Sequence, residues 1–180
     1  MTTISMLING EQTQARSGAT FVRANPLDAQ VATTAPAATP DDAVAAVDAA
    51  AAAFPAWSRT GPGERRALLL AAARALEARA DDFTRAMAAE TGASAIWAGF
   101  NVHLAAGMLV EAAALTTQIE GQVIPSDVPG SLAMATRQPA GVVIGIAPWN
   151  APVILGVRAV AVPLACGNTV VFKGLSLIHI

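Results

Sequence analysis

The chain has 180 residues and a net charge of −2, and Lys173 and Cys166 are its only lysine and cysteine. So little positive charge excludes the basic surface that binds nucleic acid, and a single cysteine excludes an internal disulfide. A lone thiol is typical of a reducing compartment, so we expect a cytoplasmic protein.

Two windows of 20 residues, 91–110 and 138–157, lack charged side chains. The first contains Asn101 and His103, and the second contains three prolines and Asn150. A lipid-facing helix tolerates such residues poorly, because no water is present to satisfy the backbone groups that they free. The N-terminus also lacks the basic and apolar regions of a signal peptide. We therefore expect no membrane segment.

The first third of the chain predicts short strands over residues 4–34, followed by a helix. The pair Asn9-Gly10 is a hairpin signal between two of these strands. Thr39, followed by Pro40 and two acidic residues, predicts a helix start, because it combines an N-cap, a first-turn proline and charges that suit the helix dipole. We expect this alanine-rich helix to end at Pro55.

Two further helices are predicted between residues 64 and 91. The first covers about residues 64–79, and we expect Arg65 to lie outside its apolar face. That face consists of Leu68, Leu69, Ala72 and Leu76. The second covers about residues 81–90 and stops at Thr91-Gly92, where the glycine suits a C-cap.

A long helix is predicted over about residues 94–120, with Gly121 as its C-cap. Large apolar side chains recur along it at helical spacing, which favours a stripe in the core. They are Trp97, Phe100, Leu104 and Met108. Residues 122–137 are expected to be extended, with a turn at Pro129-Gly130.

The last third predicts a strand, a helix and a second strand. Residues 142–146 and 169–172 are short β-branched runs, and the apolar run over 152–164 has the length of a helix. This order predicts a βαβ unit, and continuous apolar strands indicate a parallel sheet that is covered on both faces. The predicted fold class is therefore α/β.

Asn150 lies between Pro148 and Pro152, directly after the first of these strands. Ligands of open α/β sheets bind beyond the carboxyl ends of the strands, and a stiff turn there holds an amide N–H at a fixed point. Such a donor suits a developing oxyanion. The same position also suits a helix N-cap, so the spacing leaves both roles open.

Other chemical signals in the sequence are weak. No Gly-rich phosphate fingerprint follows the strand, so a dinucleotide would bind without that loop. Cys166 lies near the end of an apolar helix, where no helix N-terminus or cation activates a thiol, and we interpret it as a core residue. His103 has no second ligand at metal-binding spacing, which predicts a packed or capped histidine and no metal site.

Two segments resemble the start of the cofactor domain in the NAD(P)-dependent aldehyde dehydrogenase superfamily. They are GVVIGIAPWN at 141–150 and PLACGNTVVFK at 163–173. Shorter matches occur in the family's order: LINGE at 7–11, NP at 25–26, DAVAAV at 42–47, AFPAW at 53–57, ER at 64–65 and ETG at 90–92. The resemblance covers about residues 4–173. Within the family, residues 94–173 most resemble aromatic-aldehyde members, such as salicylaldehyde, benzaldehyde or vanillin dehydrogenases.

The resemblance implies a variant Rossmann domain that binds NAD or NADP without the usual glycine loop. Residues 1–38 would be a strand-and-turn segment related to subunit assembly, and residues 39–173 would begin the cofactor-binding domain as far as its first βαβ unit. It also implies a small aldehyde substrate and a homo-oligomer, either a dimer or a tetramer. Neither nucleic acid nor a membrane is an expected partner.

The resemblance also assigns the residues of a site. Asn150 would donate its side-chain amide to the oxyanion of a thiohemiacetal, which favours the catalytic role over a simple cap. The expected cofactor contacts are Ile146, Ala147, Pro148, Trp149 and Lys173.

Substrate contacts are expected on the long helix and on the helix after Asn150, because this pair lines the substrate tunnel in the family. The candidates are Leu104, Met108, Ala151, Ile154 and Arg158. The small side chain of Ala151 leaves room for an aromatic ring. Arg158 could bind a polar ring substituent, and it could equally lie at the surface or pair with another residue.

The family mechanism also needs a cysteine nucleophile and a glutamate base, both C-terminal of the lysine motif. Cys166 does not align with that nucleophile. Residues 174–180 lack the acid that follows the lysine in the family and look like out-of-frame or adapter-derived sequence. We therefore expect the N-terminal part of an aldehyde dehydrogenase, inactive alone. The alternative is a non-catalytic partner or regulator of a full-length subunit.

Overall fold

The computed structural model describes residues 2–174, so the predicted foreign tail lies, apart from Gly174, outside the described residues. The described part has a mixed α/β fold. Its strands are β1 (Thr2–Thr3), β2 (Met6–Ile8), β3 (Glu11–Thr13), β4 (Thr20–Ala24), β5 (Val31–Pro36), β6 (Gln122–Ile124), β7 (Ala133–Ala135), β8 (Val142–Ala147) and β9 (Thr169–Gly174). Its helices are α1 (Pro40–Trp57), α2 (Pro62–Ala78), α3 (Ala80–Thr91), α4 (Ala95–Leu115) and α5 (Pro152–Ala165).

The N-terminal strands form two small sheets. β5 is the central strand of the first sheet, with β1 parallel on one side and β4 antiparallel on the other. β2 and β3 form an antiparallel hairpin whose turn holds Asn9 at φ 53° and Gly10 at φ 79°. Two successive positive φ angles match the twist of the paired strands, so the predicted hairpin is confirmed.

α1 begins with a reciprocal cap. The Thr39 hydroxyl accepts from the N–H of Asp42, and the Asp42 carboxylate accepts from the N–H of Thr39 at 2.8 Å. The predicted helix start is confirmed, but the predicted end at Pro55 is wrong, since α1 continues to Trp57. A proline in the last turn removes only one backbone hydrogen bond, so the helix winds past it.

α2 buries a different face from the predicted one. Arg65 and Leu69 are buried, whereas Leu68 is 50% exposed, so the placement of Arg65 outside the packed face is wrong. The Nε of Arg65 donates to the carbonyl of Ala165 at 3.0 Å, and its guanidinium also donates to the carbonyl of Thr60. The carbonyl of Ala165 is at the end of α5 and has no partner within its helix, and Thr60 lies between α1 and α2, so both carbonyls can satisfy a buried guanidinium.

The ends of α3 and α4 have different causes. α3 stops at Gly92, which has φ 67°, as its glycine C-cap predicts. α4 has its C-cap at Thr116, whose hydroxyl and N–H both donate to the carbonyl of Ala113, so the predicted end at Gly121 is wrong. Gly121 instead precedes the β6–β7 hairpin, where an added Cβ would lie 2.5 Å from the carbonyl oxygen of Ala135.

α4 packs against α2, α3 and α5 through small side chains. Its buried residues are Ala98, Asn101, Val102, Ala105, Ala106, Leu109, Ala112 and Ala113. The predicted core stripe is wrong, because Trp97, Phe100 and Leu104 are 41%, 48% and 36% exposed. Alanines let neighbouring helices approach closely, and the bulky side chains consequently lie on the outer side of α4.

α4 is also long and apolar enough to cross a membrane, if length and composition alone are considered. However, 44% of its most apolar window is buried within the fold, against the three helices named above. A core helix passes the same composition test, so α4 is weak support for a membrane span.

β8, α5 and β9 form the predicted βαβ unit. The two strands are parallel, in a register that runs from Val142 opposite Thr169 to Ala147 opposite Gly174. The expectation that both faces are covered is wrong for residues 2–174, because Ile144 and other β8 side chains are more than half exposed. α5 covers one face of this pair, and α1 contacts the pair mainly along β9.

Two buried polar residues fix the ends of this unit. The Oδ1 of Asn168 accepts from the N–H of Gly141 at 3.0 Å, and its Nδ2 donates to the carbonyl of Pro163 at 3.1 Å. The hydroxyl of Thr169 donates to the carbonyl of Ala50 on α1 at 2.8 Å. The start of β8, the end of α5 and the middle of α1 are thereby tied together.

Candidate functional site

The candidate site lies where β8 and β9 end, because parallel strands bring their carboxyl ends to the same edge of a sheet. Ile146 lies opposite Lys173 in the register, and both residues are exposed. Ala147 and Gly174 form the next pair. The structure therefore brings the predicted lysine contact beside the first of the predicted contacts on β8.

A cavity of about 270 Å³ lies beside this edge. Pro148 and Trp149 contribute to its lining, together with residues from α3 and β4 and from the adjoining parts of β8, α5 and β9. Among these residues, Arg23 and Glu90 form an ion pair at 3.1 Å, and the Thr33 hydroxyl donates to Glu90 at 2.5 Å. Sequence reasoning missed this polar cluster, because Arg23, Thr33 and Glu90 come from three elements, β4, β5 and α3, and Glu90 is far from the other two in the chain.

Asn150 lies on a turn between β8 and α5, and its side chain is exposed. The N-cap of α5 is Ala151, with φ −139° and ψ 65°, and no side chain caps this helix. The capping alternative for Asn150 therefore does not hold. Within residues 2–174, the hydrogen bond to this residue involves its backbone carbonyl, which leaves both side-chain N–H groups available to a ligand.

Trp97 lies next to this turn and Phe100 lies against Trp97, although sequence reasoning assigned neither to the site. The indole Nε1 of Trp97 donates to the backbone carbonyl of Asn150 at 3.3 Å. The two aromatic rings stack with centroids 5.6 Å apart and an interplanar angle of 21°. Their helical spacing was visible in the sequence, but periodicity alone cannot distinguish a core stripe from an exposed one.

The five substrate-binding candidates lie on two helices that pack against each other. Leu104 and Met108 are on α4, Ala151 is the N-cap of α5, and Ile154 and Arg158 are on α5. Ala151 and Ile154 are buried, with 8% and 5% exposure. Met108 is partly buried, Leu104 is one-third exposed at 36%, and Arg158 is exposed. The candidates thus range from the packed interior at Ala151 to solvent at Arg158.

Cys166 and His103 take no part in this arrangement. Cys166 is partly buried at the C-cap of α5, where its N–H donates to the carbonyl of Val162 at 3.0 Å. His103 is exposed on α4, so the packed form of the expected packed or capped histidine is wrong. No group of three or more His, Cys, Asp or Glu side chains within the described residues could hold a metal ion.

Comparison with known sequences links this geometry to one family. The sequence profile of the aldehyde dehydrogenase family matches residues 13–177. Vanillin dehydrogenase of Pseudomonas sp. strain HR199 is 63% identical over 174 residues, which are 97% of this chain and 36% of that protein. Salicylaldehyde dehydrogenase of Pseudomonas putida is 47% identical, over 94% of this chain and 35% of its own length. The chain spans about a third of the curated relatives that it matches.

Solved structures agree with the sequence matches. Salicylaldehyde dehydrogenase from Pseudomonas putida G7, complexed with salicylaldehyde, superposes with a TM-score of 0.93 at 46% identity, over 97% of this chain and 36% of that one. An NAD-dependent benzaldehyde dehydrogenase from Corynebacterium glutamicum gives 0.90 at 34% identity, over 94% and 37%. The predicted α/β fold class is confirmed, whereas the predicted segment boundaries after residues 38 and 173 stay a prediction.

Proposed function

The chain belongs to the aldehyde dehydrogenase family, and from that membership we propose that the whole protein oxidises an aromatic aldehyde to its carboxylic acid with NAD or NADP. One observation carries the proposal. Asn150 presents an exposed carboxamide at the end of β8, and that carboxamide caps no helix. The aromatic class is supported by relatives that act on vanillin and salicylaldehyde.

The end of the β8–β9 pair has a chemistry that suits a dinucleotide. Ile146 presents an exposed apolar side chain, and Lys173 beside it presents a cation that can donate to ribose or phosphate oxygens. The adjoining cavity of about 270 Å³ includes Pro148 and Trp149 in its wall. When bound, NAD or NADP accepts the hydride that leaves the substrate carbon. We propose that these residues and Ala147 hold the cofactor.

Asn150 would act when the nucleophile attacks. A thiolate adds to the aldehyde carbon, and the electron pair of the carbonyl moves onto its oxygen. An amide N–H that is already in place stabilises that oxyanion without reorientation. After hydride leaves the same carbon, water replaces the sulfur and releases the acid and the thiol. Cys166 is not assigned the nucleophilic role, and the proposal places the nucleophile and base in the length of the family that this chain does not span.

The substrate ring would lie beside Ala151, between α4 and α5. Ala151 is small and buried, so its side chain sets how much room exists next to Asn150. Leu104, Met108 and Ile154 would supply apolar contacts to the ring. Arg158 is exposed and has no ion-pair partner within residues 2–174, which supports a role in binding a hydroxyl or phenolate on the ring.

We also propose a cytoplasmic homo-oligomer, either a dimer or a tetramer. Exposed apolar side chains support self-association, since contiguous apolar surface is typical of subunit interfaces. Val123, Leu132 and Met134 on and near the β6–β7 hairpin are 71%, 70% and 61% exposed.

The Asn150→Ala variant of the full-length protein tests the catalytic role. We expect kcat with benzaldehyde to fall roughly 100- to 1000-fold, because an oxyanion donor is lost. The KM should change little, since the oxyanion exists only after attack. Gln122→Ala is the matched control, because it removes another exposed carboxamide outside the site. An Asn150→Ala enzyme with full kcat would contradict the proposal.

Two variants of the full-length protein test the aromatic substrate. Ala151→Phe should raise the KM for aromatic aldehydes far more than for short aliphatic ones, because the larger side chain occupies the space of the ring. Arg158→Ala should weaken the binding of hydroxylated benzaldehydes and leave the binding of other aldehydes unchanged. Steady-state kinetics on benzaldehyde, salicylaldehyde and propanal measure both effects. Equal losses on every aldehyde would mean that these positions are structural.

A further inference from the structure

The segment that carries Asn150 has few restraints of its own. Residues 148–150 belong neither to β8 nor to α5. Pro148, the first residue of this segment, and Pro152, at the start of α5, have no N–H to donate. Within the described residues, a single hydrogen bond holds this segment to another element. It runs from the indole Nε1 of Trp97 on α4 to the backbone carbonyl of Asn150, at 3.3 Å.

We propose that Trp97 is a positioning residue, which fixes the Asn150 turn so that the side-chain amide points to the oxyanion. This inference rests on the proposed function of Asn150. Trp97 acts through the backbone, because the carbonyl and the side chain of Asn150 share one Cα. When the carbonyl is held, rotation of the turn is limited, and the direction of the Cα–Cβ bond is limited with it.

Trp97 is itself firmly held, which it must be in order to fix another residue. Its backbone N–H donates to the hydroxyl of Ser94 at 3.2 Å, at the N-cap of α4. Its backbone carbonyl accepts from the Nδ2 of Asn101 at 3.0 Å, and Asn101 is fully buried with 0% exposure. Its ring stacks on Phe100. The indole N–H therefore reaches Asn150 from a side chain that is fixed at its backbone and at its ring.

A role in positioning predicts a specific kinetic signature. The oxyanion forms only after the nucleophile has attacked. A misplaced Asn150 amide therefore stabilises the transition state less well and does not change the binding of the aldehyde. Loss of the Trp97 hydrogen bond should consequently lower kcat and leave KM unchanged. A ring that instead packed directly on the aldehyde would change KM when it is removed.

The first test is Trp97→Phe in the full-length protein. This change keeps an aromatic ring that can stack on Phe100, and it removes the indole N–H together with part of the indole ring. We expect kcat with benzaldehyde to fall roughly 3- to 10-fold, the range that one neutral hydrogen bond supports. The KM should stay within about twofold, since ground-state binding is not affected. Trp57→Phe is the matched control, because Trp57 lies on α1 and its Nε1 has no partner within the described residues; its kcat should equal that of the wild type.

The second test is a double-mutant cycle with Asn150→Ala. If Trp97 acts through Asn150, Trp97→Phe should cause no further loss of kcat in the Asn150→Ala background. An equal fold loss in both backgrounds, or a rise in KM at unchanged kcat, would overturn the proposal. If Asn150→Ala itself leaves kcat unchanged, the proposed function of Asn150 is wrong. If Asn150→Ala lowers kcat strongly and the Trp97→Phe loss simply adds to it, the function of Asn150 stands and only the positioning role of Trp97 is wrong.

A third variant separates positioning from folding. If Trp97→Phe lowers the melting temperature, the cycle is repeated with 3-benzothienylalanine at position 97, which keeps the shape of the indole and replaces its N–H by sulfur. The same loss of kcat, confined to enzymes that retain Asn150, is expected. A benzothienylalanine enzyme with the wild-type kcat would show that the ring, and not the hydrogen bond, matters.

Discussion

Gly145 sets how closely α5 lies on β8. An added Cβ would lie 2.9 Å from the Cβ of Ala159 and 3.2 Å from the Ala159 carbonyl oxygen. Both atoms belong to a helix that is held at its start by the Asn150 turn and at its end by Arg65 and Asn168. The contact cannot be relieved by rotation of a side chain, because the Ala159 atoms involved are a methyl group and the backbone.

We expect Gly145→Ala to lower the free energy of unfolding by about 1–3 kcal/mol, the usual cost of overpacking. Thermal and urea denaturation of the full-length protein measure the change. Gly156→Ala on α5 is the control, since its Cβ would lie 3.5 Å from the ring of Phe172, an ordinary contact. Alanine is favoured over glycine within a helix by about 1 kcal/mol, so this variant should be as stable as the wild type or more stable.

Gly145→Ala with unchanged stability would mean that α5 moves freely relative to β8. In that case the position of Asn150 could not depend on close packing of the helix. The same measurement therefore bears on how rigidly the candidate site is supported.

Arg65 supports the other end of α5, because it is buried and donates to carbonyls of Ala165 and Thr60. We expect Arg65→Ala to lower the free energy of unfolding by about 2–4 kcal/mol, since it leaves these acceptors without a charged donor. Arg65→Lys should recover only part of the loss, because an ammonium group lacks the planar fork of a guanidinium.

The control for Arg65 is Arg66→Ala, which removes an exposed arginine from the same helix. Exposed substitutions of this kind change stability by less than about 0.5 kcal/mol. Equal melting temperatures for the Arg65→Ala and Arg66→Ala proteins would contradict the assigned role.

Among the elements, α1 depends most clearly on a local polar arrangement. The N–H of Thr39 donates to the buried carboxylate of Asp42, and this bond lowers the pKa of Asp42 below its usual value. The Thr39 hydroxyl and the backbone N–H and charge of Arg16 act in the same direction, whereas burial opposes them. A folded-state pKa below the unfolded value means that ionised Asp42 stabilises the folded protein.

The stability that Asp42 contributes is fully present above its unfolded pKa of 3.8 and is lost as the pH falls through the lower folded value. We expect Asp42→Asn to lower the melting temperature at pH 7. The difference in melting temperature between the variant and the wild type should become smaller below about pH 4. Asp41→Asn is the control, because Asp41 is exposed and does not form the capping box. A gap that stays constant from pH 7 to pH 3 would count against this role of the cap.

α4 and α5 show how an element's composition positions a site. Their shared interface is rich in alanine, with Ala105, Ala112 and Ala161 buried at 0–1% exposure. Close helix packing brings the first turn of α4 to the turn before α5, so that Trp97 can reach Asn150. Larger residues at these alanine positions would separate the helices and weaken that contact.

At the scale of the whole molecule, β8 and β9 expose several large apolar side chains close together. Ile144 and Ile146 on β8 are 61% and 58% exposed, and Phe172 on β9 is 48% exposed. Within residues 2–174, β8 and β9 also form a sheet of two strands, so each strand has one unpaired edge. Unpaired edges beside apolar side chains are typical sites of association.

We expect the isolated 180-residue chain to self-associate through this β8–β9 surface. Light scattering coupled to size-exclusion chromatography should show dimers or larger species at micromolar concentration. The double variant Ile144→Thr/Ile146→Thr should reduce that association, whereas Ile96→Thr, at an exposed isoleucine on α4, should not. A dilute wild-type chain that stays monomeric and melts in one sharp transition would contradict the prediction.

Local sequence signals predicted several turns and helix ends, the order of strands and helices in the last third of the chain, and the family. The Asn9-Gly10 turn, the Thr39 cap, the Gly92 stop and the β8–α5–β9 order each follow from backbone preferences of a few neighbouring residues. The ordered motifs around Asn150 and Lys173 also predicted the family. These signals depend on neighbouring residues in the chain, so they can be interpreted without knowledge of the tertiary packing.

Only the tertiary structure decided which faces are buried and what holds Asn150. Periodicity placed Trp97 in the core and Arg65 outside it, and the fold reverses both, because alanine contacts and helix-end carbonyls lie on other elements. The bond from Trp97 to Asn150 joins residues 53 positions apart. No local pattern encodes such a contact, since it depends on the packing of α4 against α5.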